Sequence, residues 1–188
     1  YDENIRKRVR DSWGVNDNNY VIGHVGRFHE AKNHMFLLDV FKNLLDFKED
    51  AVLVLAGDGE LRNQIEKRIQ ELSIVDRVLL LGNRKDVSKV YQMMDVFVFP
   101  SIWEGVPLTV VEAQASGLPC IISESITNDV IVTSHVKREK LESGAKKWAE
   151  KIIELDIGKR VVENNEALMN FDIKTTMKWM EKLYCEKL

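Results

Sequence analysis

Two cations follow the first β-like run of the sequence, within the segment GRFHEAKNH at residues 26–34. Arg27 comes directly after Gly26, where the run ends, and Lys32 stands five positions later, where a helical stretch begins. Two cations beside a helix N-terminus can bind an anionic group such as a diphosphate. The alternative is a pair of solvated surface charges, the usual situation of Lys and Arg. Their position in a glycine-containing turn at a strand end favours binding.

Two glutamates frame a second segment, SIWEGVPLTVVE at residues 101–112, in which seven residues separate Glu104 from Glu112. The loop and predicted helix start between them contain Gly105, Val106, Pro107 and Leu108. Proline suits a first helical turn, and the first amides of a helix are free to donate to a phosphate. A carboxylate near a phosphate needs hydroxyl donors, such as those of a sugar. The alternative is an ordinary acid near a helix N-terminus plus one solvated glutamate.

Apolar runs alternate with amphipathic stretches and must position these residues. The run at 51–56 is apolar throughout, which is typical of a strand buried on both faces of a parallel sheet. Predicted strands span 20–25, 51–56, 78–81, 96–99 and 119–123, with a weaker one at 130–136. Predicted helices span 34–47, 60–72, 87–94 and 108–116. The alternation predicts an α/β protein with a Rossmann-like, three-layer α/β/α doubly wound parallel sheet.

Ligands of such sheets bind outside the carboxyl ends of the strands, near the point where the strand order reverses. Glycine, proline and charged residues are concentrated in the segments that follow the predicted strands, namely 26–27, 57–59, 82–84 and 100–107. Asn83 and Arg84 belong to the third of these segments. We therefore expect them at the same edge of the sheet as the two cations.

Residues 16–170 account for this predicted domain, and a helix lies on each side of it. Residues 1–15 contain a basic helix that we interpret as a solvated or interdomain linker, with a membrane-surface helix as the alternative. Residues 171–188 contain a long helix with apolar residues on one side. The net charge of −3 argues against electrostatic binding of nucleic acid. No apolar run is long enough to span a membrane, and two separated cysteines suit a reducing cytoplasm.

Together these segments resemble the retaining GT-B glycosyltransferases of family 4. The resemblance rests on Arg27 and Lys32 and on EGVPLTVVEAQASGLP at residues 104–119, and extends from about Ile5 to the final helix. It includes AGDG at 56–59 and GNRKDV at 82–87. The segments at 121–127 and 148–149 look like the subgroup that acts in bacterial capsule and exopolysaccharide assembly. The resemblance implies one half of a GT-B fold, the half that binds the nucleotide-sugar donor.

The resemblance assigns roles to the candidate side chains. Arg27 and Lys32 would hold the donor diphosphate and stabilise the departing nucleoside diphosphate, without a catalytic metal or other cofactor. Glu112 would accept hydrogen bonds from the ribose hydroxyls, and Glu104 from the transferred sugar. Glu104 would orient that sugar, with departure and attack on one face, rather than attack it. The implied catalytic residues are thus Arg27, Lys32 and Glu104.

The resemblance also implies backbone contacts and a nucleotide. The backbone of residues 105–108 would surround the sugar and phosphate. Gly105, Val106 and Leu108 would each donate an N–H, whereas Pro107 has none to donate. Backbone groups near Asn83 and Arg84 would contact the base. Gly23 and Gly26 would line the floor of the site by allowing close backbone approach. UDP is the expected nucleotide because it is the commonest donor nucleotide of the subgroup.

The implied reaction is sugar transfer to a glycan or lipid-linked acceptor at the cytoplasmic side of a bacterial membrane, with peripheral association at its inner face. In GT-B enzymes the acceptor site and a catalytic histidine belong to an N-terminal domain, which this sequence does not supply. We therefore expect donor binding without turnover. The final helix would pack towards that domain, so Trp179 and Tyr184 are expected to be exposed here.

Other interpretations remain beside this one. A non-catalytic nucleotide-sugar-binding module would use the same pocket. A dinucleotide-dependent oxidoreductase is rejected, because GHVGRF at 23–28 lacks the glycine fingerprint. We expect His24 to be buried or hydrogen-bonded rather than catalytic, and His29 and His34 to touch a phosphate, cap a helix or face solvent. For Trp103, the sequence favours neither of two interpretations, a side chain that lines the pocket or one that packs in the core.

Overall fold

A six-stranded parallel sheet forms the centre of the protein in the computed structural model, which describes residues 1–155, 157, 160, 162 and 166–185. The strand order is β3-β2-β1-β4-β5-β6. The strands are β1 (Val21–Val25), β2 (Val52–Ala56), β3 (Val78–Gly82), β4 (Val96–Phe99), β5 (Cys120–Ser123) and β6 (Val136–Glu139). All neighbours pair in parallel. The predicted doubly wound α/β sheet is confirmed.

Helices cover both faces of the sheet. They are α1 (Glu3–Ser12), α2 (His34–Leu44), α3 (Arg62–Glu71), α4 (Val87–Met93), α5 (Leu108–Ala115), α6 (Ala145–Ile153), α7 (Glu166–Met169) and α8 (Ile173–Cys185). The sequence predicted most of them to within a turn, but not α6 or α7. None of the described helices is both long and apolar enough to cross a membrane. The predicted final helix runs to residue 188, and its last three residues lie outside the described part.

Alternate residues of each central strand face two different apolar cores, which explains the continuous apolar runs. In β2, Val52, Val54 and Ala56 belong to one core, while Leu53 and Leu55 belong to the other. Helices α1, α4 and α5 contribute to the first core, and α2, α3 and α6 contribute to the second. Because both faces are covered, the sheet is the middle of three layers.

The weak strand predicted at 130–136 is wrong. The chain forms a short 3-10 turn at Asn128–Val130, and β6 begins only at Val136. The buried side chain of Gln114 accounts for the difference, because its amide nitrogen donates to Val130 O at 2.7 Å and its oxygen accepts from Val132 N at 2.9 Å. These bonds satisfy backbone groups that a strand would have paired with a neighbour. The apolar residues of this segment therefore pack into the core from a loop.

Helix α1, interpreted from the sequence as a solvated or interdomain linker, is held on the domain by ion pairs from two of its basic residues. Arg10 is fully buried and donates to Asp95 Oδ2 at 2.8 Å, and Arg6 donates to Asp95 Oδ1 at 2.7 Å. Asp95 Oδ2 also accepts from the backbone N–H of Val21, at 2.7 Å. One carboxylate thus connects α1 to the starts of β1 and β4. These two cations are unavailable to a membrane surface.

The end of the described chain exposes apolar side chains. On α8, Trp179 and Tyr184 are 62% and 65% exposed, as expected from the sequence. By contrast, α6 buries Trp148 against α2, with its ring 5.6 Å from that of Phe36. Helix α6 is therefore part of the domain's second core, whereas α8 contributes no buried residue.

We predict that Asp95→Asn lowers the free energy of unfolding by about 3 kcal/mol, because it leaves the buried guanidinium of Arg10 without its counter-charge. Urea denaturation followed by circular dichroism measures this value. Asp39→Asn is the matched control, since Asp39 also accepts from an arginine, Arg68, at 2.7 Å but on the surface. The control should change stability far less. Equal effects of the two substitutions would contradict the structural role given to Asp95.

Candidate functional site

The central strands β1 and β4 are neighbours, and the chain leaves them in opposite directions, towards β2 and towards β5. This is the reversal point where a doubly wound sheet opens a crevice at its carboxyl edge. The two loops that flank it are joined by a hydrogen bond from Ile102 N to Ala31 O at 2.8 Å. Residues far apart in sequence, in the segments 26–34 and 101–112, therefore meet at this edge.

The shortest contact across the crevice joins Lys32 to Glu104. Lys32 lies in a 3-10 turn, Glu30–Lys32, and its Nζ donates to Glu104 Oε1 at 2.6 Å. Both side chains are mostly buried, at 18% and 14% exposure. Lys32 Nζ also lies 4.9 Å from the centre of the Phe99 ring at the end of β4, within the range of a cation–π contact. The structure thus fixes both candidate side chains at one point.

Arg27 lies at the same edge but reaches outwards. Its side chain is 73% exposed, and its guanidinium forms a 3.3 Å ion pair with Glu60. Exposed pairs of this kind contribute little stability, so the guanidinium can turn towards an anion at small cost. His29 Nε2 also approaches Glu60, at 3.6 Å. The ring of His29 accepts from Ala31 N, so this histidine caps the turn that carries Lys32.

A cleft of about 390 Å³ opens beyond the carboxyl ends of β1, β2 and β3. Its lining includes Gly26, Arg27, Asn83 and Arg84 among the predicted residues. Part of its floor is backbone: Gly57 has φ of +144°, and a Cβ added there would lie 2.0 Å from Gly26 O. The guanidinium of Arg84 is held by Asp86 at 2.8 Å on the rim.

Gly23 does not contribute to that floor, contrary to the expectation from the sequence. It lies within β1, and a Cβ added there would come within 2.3 Å of the Met94 side chain. Its lack of a side chain is therefore explained by packing inside the sheet. Gly26 has little space around it for another reason. A Cβ added there would lie 2.9 Å from His24 Nε2 and 3.2 Å from Lys32 Cε.

The start of α5 faces the crevice without a side-chain cap. Pro107 is the N-cap residue, and it provides no side-chain hydrogen bond; no acidic residue lies in the first turn. Gly105, Val106 and Leu108 are exposed while Pro107 is buried. The Val110 amide donates to Pro107 O at 3.0 Å, so the amides of Leu108 and Thr109 are the ones at the start of α5 that can donate to an anion.

Glu112 lies one turn into α5 with an exposed side chain. Its Oε2 accepts a hydrogen bond from the hydroxyl of Tyr91, on α4, at 2.9 Å. Glu112 borders two further clefts, one of about 440 Å³ beside α7 and one of about 520 Å³ beside α4. The cleft beside α4 shares Val87 with the cleft lined by Asn83 and Arg84.

Two buried histidines lie beneath Lys32. His24 stacks on Phe99 and is bonded through Nδ1 to Val98 O at 2.9 Å, as expected for a buried, hydrogen-bonded residue. His34 contacts it edge-on at 4.9 Å and is also buried, so the expected capping or solvent exposure is wrong for His34. Burial lowers the pKa of His24 to about 4 and that of His34 to about 2. Both rings are neutral at pH 7.

Several partners of the candidate residues were not found from the sequence. Glu60 pairs with Arg27, Phe99 lies below Lys32, and Tyr91 bonds Glu112. Each stands in a different segment from its partner, so spacing carries no signal for these contacts. Trp103 is 53% exposed, which favours lining of the crevice over packing in the core. Among the described residues, no group of three or more His, Cys, Asp or Glu is arranged to hold a metal ion.

The family described as glycosyl transferases group 1 matches residues 5–167. The chain belongs to this family. The family predicted from the sequence is therefore confirmed.

Two curated relatives illustrate the extent of the similarity within group 1. The putative glycosyltransferase EpsF of Bacillus subtilis is 45% identical over 140 residues, which are 74% of this chain and 36% of EpsF. The UDP-Gal:alpha-D-GlcNAc-diphosphoundecaprenol alpha-1,3-galactosyltransferase of Escherichia coli is 39% identical over 122 residues, which are 63% of this chain and 32% of that enzyme. The chain spans about a third of the length of these relatives.

A solved structure shows the same fold. HepE from Anabaena in complex with UDP superposes with a TM-score of 0.79 at 22% sequence identity. The match covers 98% of this chain and 54% of HepE. The chain therefore has the fold of about half of HepE.

We predict that the stability of the chain falls as the pH drops from 6.5 towards 5. The pKa values of His24 and His34 in the folded chain lie below the ordinary histidine value. As the pH falls, these imidazoles therefore become protonated in the unfolded chain at a higher pH than in the folded chain. Each histidine then contributes a loss of as much as about 1.4 kcal/mol per pH unit. Urea denaturation at a series of pH values measures the slope.

A His34→Leu variant should show a smaller slope in this range, since only His24 then remains buried and neutral. His29→Gln, at an exposed histidine, is the control and should keep the slope of the original chain. An unchanged slope in His34→Leu would show that His34 is not held neutral by burial.

Proposed function

We propose that this chain is the donor-binding part of a retaining glycosyltransferase that transfers a sugar from a nucleoside-diphosphate sugar, with UDP-sugars favoured. The observation that carries the proposal is the contact between Lys32 Nζ and Glu104 Oε1 at 2.6 Å, at the reversal point of the sheet. In a nucleoside-diphosphate sugar, a phosphate and a sugar are covalent neighbours. An ammonium and a carboxylate in contact provide a partner for each of them side by side.

The diphosphate would be bound by charge and by helix amides. Lys32 is held in place, while Arg27 is exposed and free to turn from Glu60 towards the ligand. The uncapped start of α5 adds N–H donors from the opposite side of the crevice. These groups would also stabilise the negative charge of the departing nucleoside diphosphate, in the role that a metal has in other enzymes. We therefore propose that transfer is metal-independent.

The nucleoside would occupy the cleft beyond β1, β2 and β3. Its base would contact the backbone around Asn83 and Arg84, and its ribose hydroxyls would reach Glu112 past Val87, which the two clefts share. UDP is favoured because the E. coli relative is named for a UDP-galactose donor and HepE was crystallised with UDP.

Glu104 would orient the transferred sugar rather than attack it. Its carboxylate is in contact with the ammonium of Lys32, and this pairing stabilises the anion and reduces its strength as a nucleophile. The exposed backbone of Gly105 and Val106 would pass beside the same sugar. Departure and attack would then occur on one face of the sugar, which retains the configuration.

The acceptor would be a glycan or a lipid-linked sugar in surface polysaccharide assembly, at the cytoplasmic side of the membrane. The E. coli relative is named for an acceptor linked to diphosphoundecaprenol. Relatives of group 1 extend well beyond the region matched here, and we propose that their remaining part supplies the acceptor site. The exposed apolar side of α8, including Trp179, would pack towards that part.

We predict that Arg27→Ala and Lys32→Ala each weaken binding of UDP to this chain by about 1.5 to 3 kcal/mol, the contribution of a charge-assisted contact. Isothermal titration calorimetry measures the effect. A thermal-shift panel of UDP, GDP and ADP sugars on the original chain should precede it, in order to identify the nucleotide. Lys48→Ala is the control, because it removes an exposed charge that lies over the Tyr20 ring, before β1. Unchanged affinity in both site variants would refute the proposed diphosphate site.

Substitutions of the two glutamates should differ in their effects on the affinity for a nucleotide and for its sugar conjugate. Glu112→Ala should weaken UDP and the UDP-sugar alike, because the ribose is common to both. Glu104→Ala should reduce affinity mainly for the UDP-sugar. Calorimetry with the two ligands measures the difference, and Glu71→Ala on α3 is a remote control. If both site variants respond identically to the two ligands, the assigned roles are wrong.

A further inference from the structure

Tyr91 has a buried ring and a hydroxyl that reaches the surface at one carboxylate. The residue is only 1% exposed, on the inner face of α4. Its hydroxyl lies 2.9 Å from Glu112 Oε2 and 3.2 Å from the backbone oxygen of Thr109. A phenol has a single proton to donate. The shorter distance and the negative charge assign that proton to Glu112.

The environment keeps Tyr91 as a donor. Burial, followed by the nearby charge of Glu112, raises the pKa of its phenol above the ordinary tyrosine value. The ring packs edge-on against Phe97 at 5.8 Å, so it cannot easily turn away from α5. No described lysine or arginine forms an ion pair with Glu112, so Tyr91 is the side chain that orients it.

The hydrogen bond orients a carboxylate that would otherwise be mobile. A glutamate on the exposed face of a helix can adopt many side-chain conformations, and binding must restrict them. The bond to Tyr91 engages Oε2 and thereby restricts the conformations of the Glu112 side chain. Both residues line the 520 Å³ cleft, so the restrained carboxylate lies beside it.

We propose that Tyr91 is a positioning residue that sets Glu112 to accept hydrogen bonds from the two neighbouring hydroxyls of a ribose, and so makes the site selective for ribonucleotides. The inference rests on the proposed function, because it requires a nucleotide in the adjoining cleft. Tyr91 itself would not touch the ligand. Its contribution would be a carboxylate that is already oriented when the nucleotide arrives.

The test compares UDP with 2′,3′-dideoxy-UDP by calorimetry on the 188-residue chain and its Tyr91→Phe variant. The substitution removes the hydroxyl and keeps the ring. We expect UDP to bind about 3- to 10-fold more weakly to the variant, the scale of one hydrogen bond. Affinity for the dideoxy analogue should stay within about 2-fold, since that ligand has no hydroxyls for Glu112.

Two further variants exclude a general packing effect. Tyr20→Phe also removes a buried hydroxyl bond, to Ile152 O at 3.3 Å in the opposite core, and should leave the ratio of the two affinities unchanged. Glu112→Gln alone should reduce the preference for UDP. Addition of Tyr91→Phe to Glu112→Gln should then cost little more, because the tyrosine acts through the carboxylate.

The outcomes separate this inference from the function on which it rests. If the original chain binds no nucleotide, or if Glu112→Gln leaves the preference for ribose intact, the proposed nucleotide site fails and this inference fails with it. If Glu112→Gln removes the preference but Tyr91→Phe does not, only the role of Tyr91 is refuted. Equal weakening of UDP and its dideoxy analogue in Tyr91→Phe would indicate a packing role instead.

Discussion

The pairing of β1 with β4 is the constraint on which the rest of the site depends. Because β2 lies on one side of this pair and β5 on the other, the following loops diverge and leave a crevice at the carboxyl edge. The pairing is secured at its start by Asp95, which accepts from the backbone of Val21 and from Arg6 and Arg10 of α1. Because Asp95 anchors the first residues of β1 and β4, it also fixes the positions of the carboxyl ends of these strands. Arg27 and Glu104 lie in the loops that follow those ends.

The site combines held and mobile charges. Lys32 and Glu104 are in contact and largely buried, above a layer formed by Phe99 and two neutral imidazoles. A pair of opposite charges has little net charge, which makes it tolerable at low exposure without a ligand. Arg27 is exposed and weakly held by Glu60. A ligand would therefore enter a crevice with a fixed centre and an adjustable rim.

Periodicity and strand-end composition were sufficient to predict the sheet, most helices and the edge at which the candidate residues lie. They failed where side chains override local pattern. Gln114 holds the segment before β6 as a loop, and Asp95 draws α1 onto the domain. They also missed contacts between distant segments, such as Tyr91 with Glu112, because spacing within one segment contains no information on its spatial neighbours. Gly23 was assigned to the site because a packing glycine and a binding glycine look alike in sequence.

The close approach of Gly57 to the backbone carbonyl of Gly26 has an evolutionary consequence. Where the cleft is floored by main chain, its hydrogen-bonding groups are the same whichever amino acids the gene encodes, provided that Gly57 is retained. Inherited variation can change recognition through the side chains that line the cleft, such as those of Asn83 and Arg84. A lineage with this fold can thus diversify the side chains around the cleft while the main-chain groups of its floor stay the same.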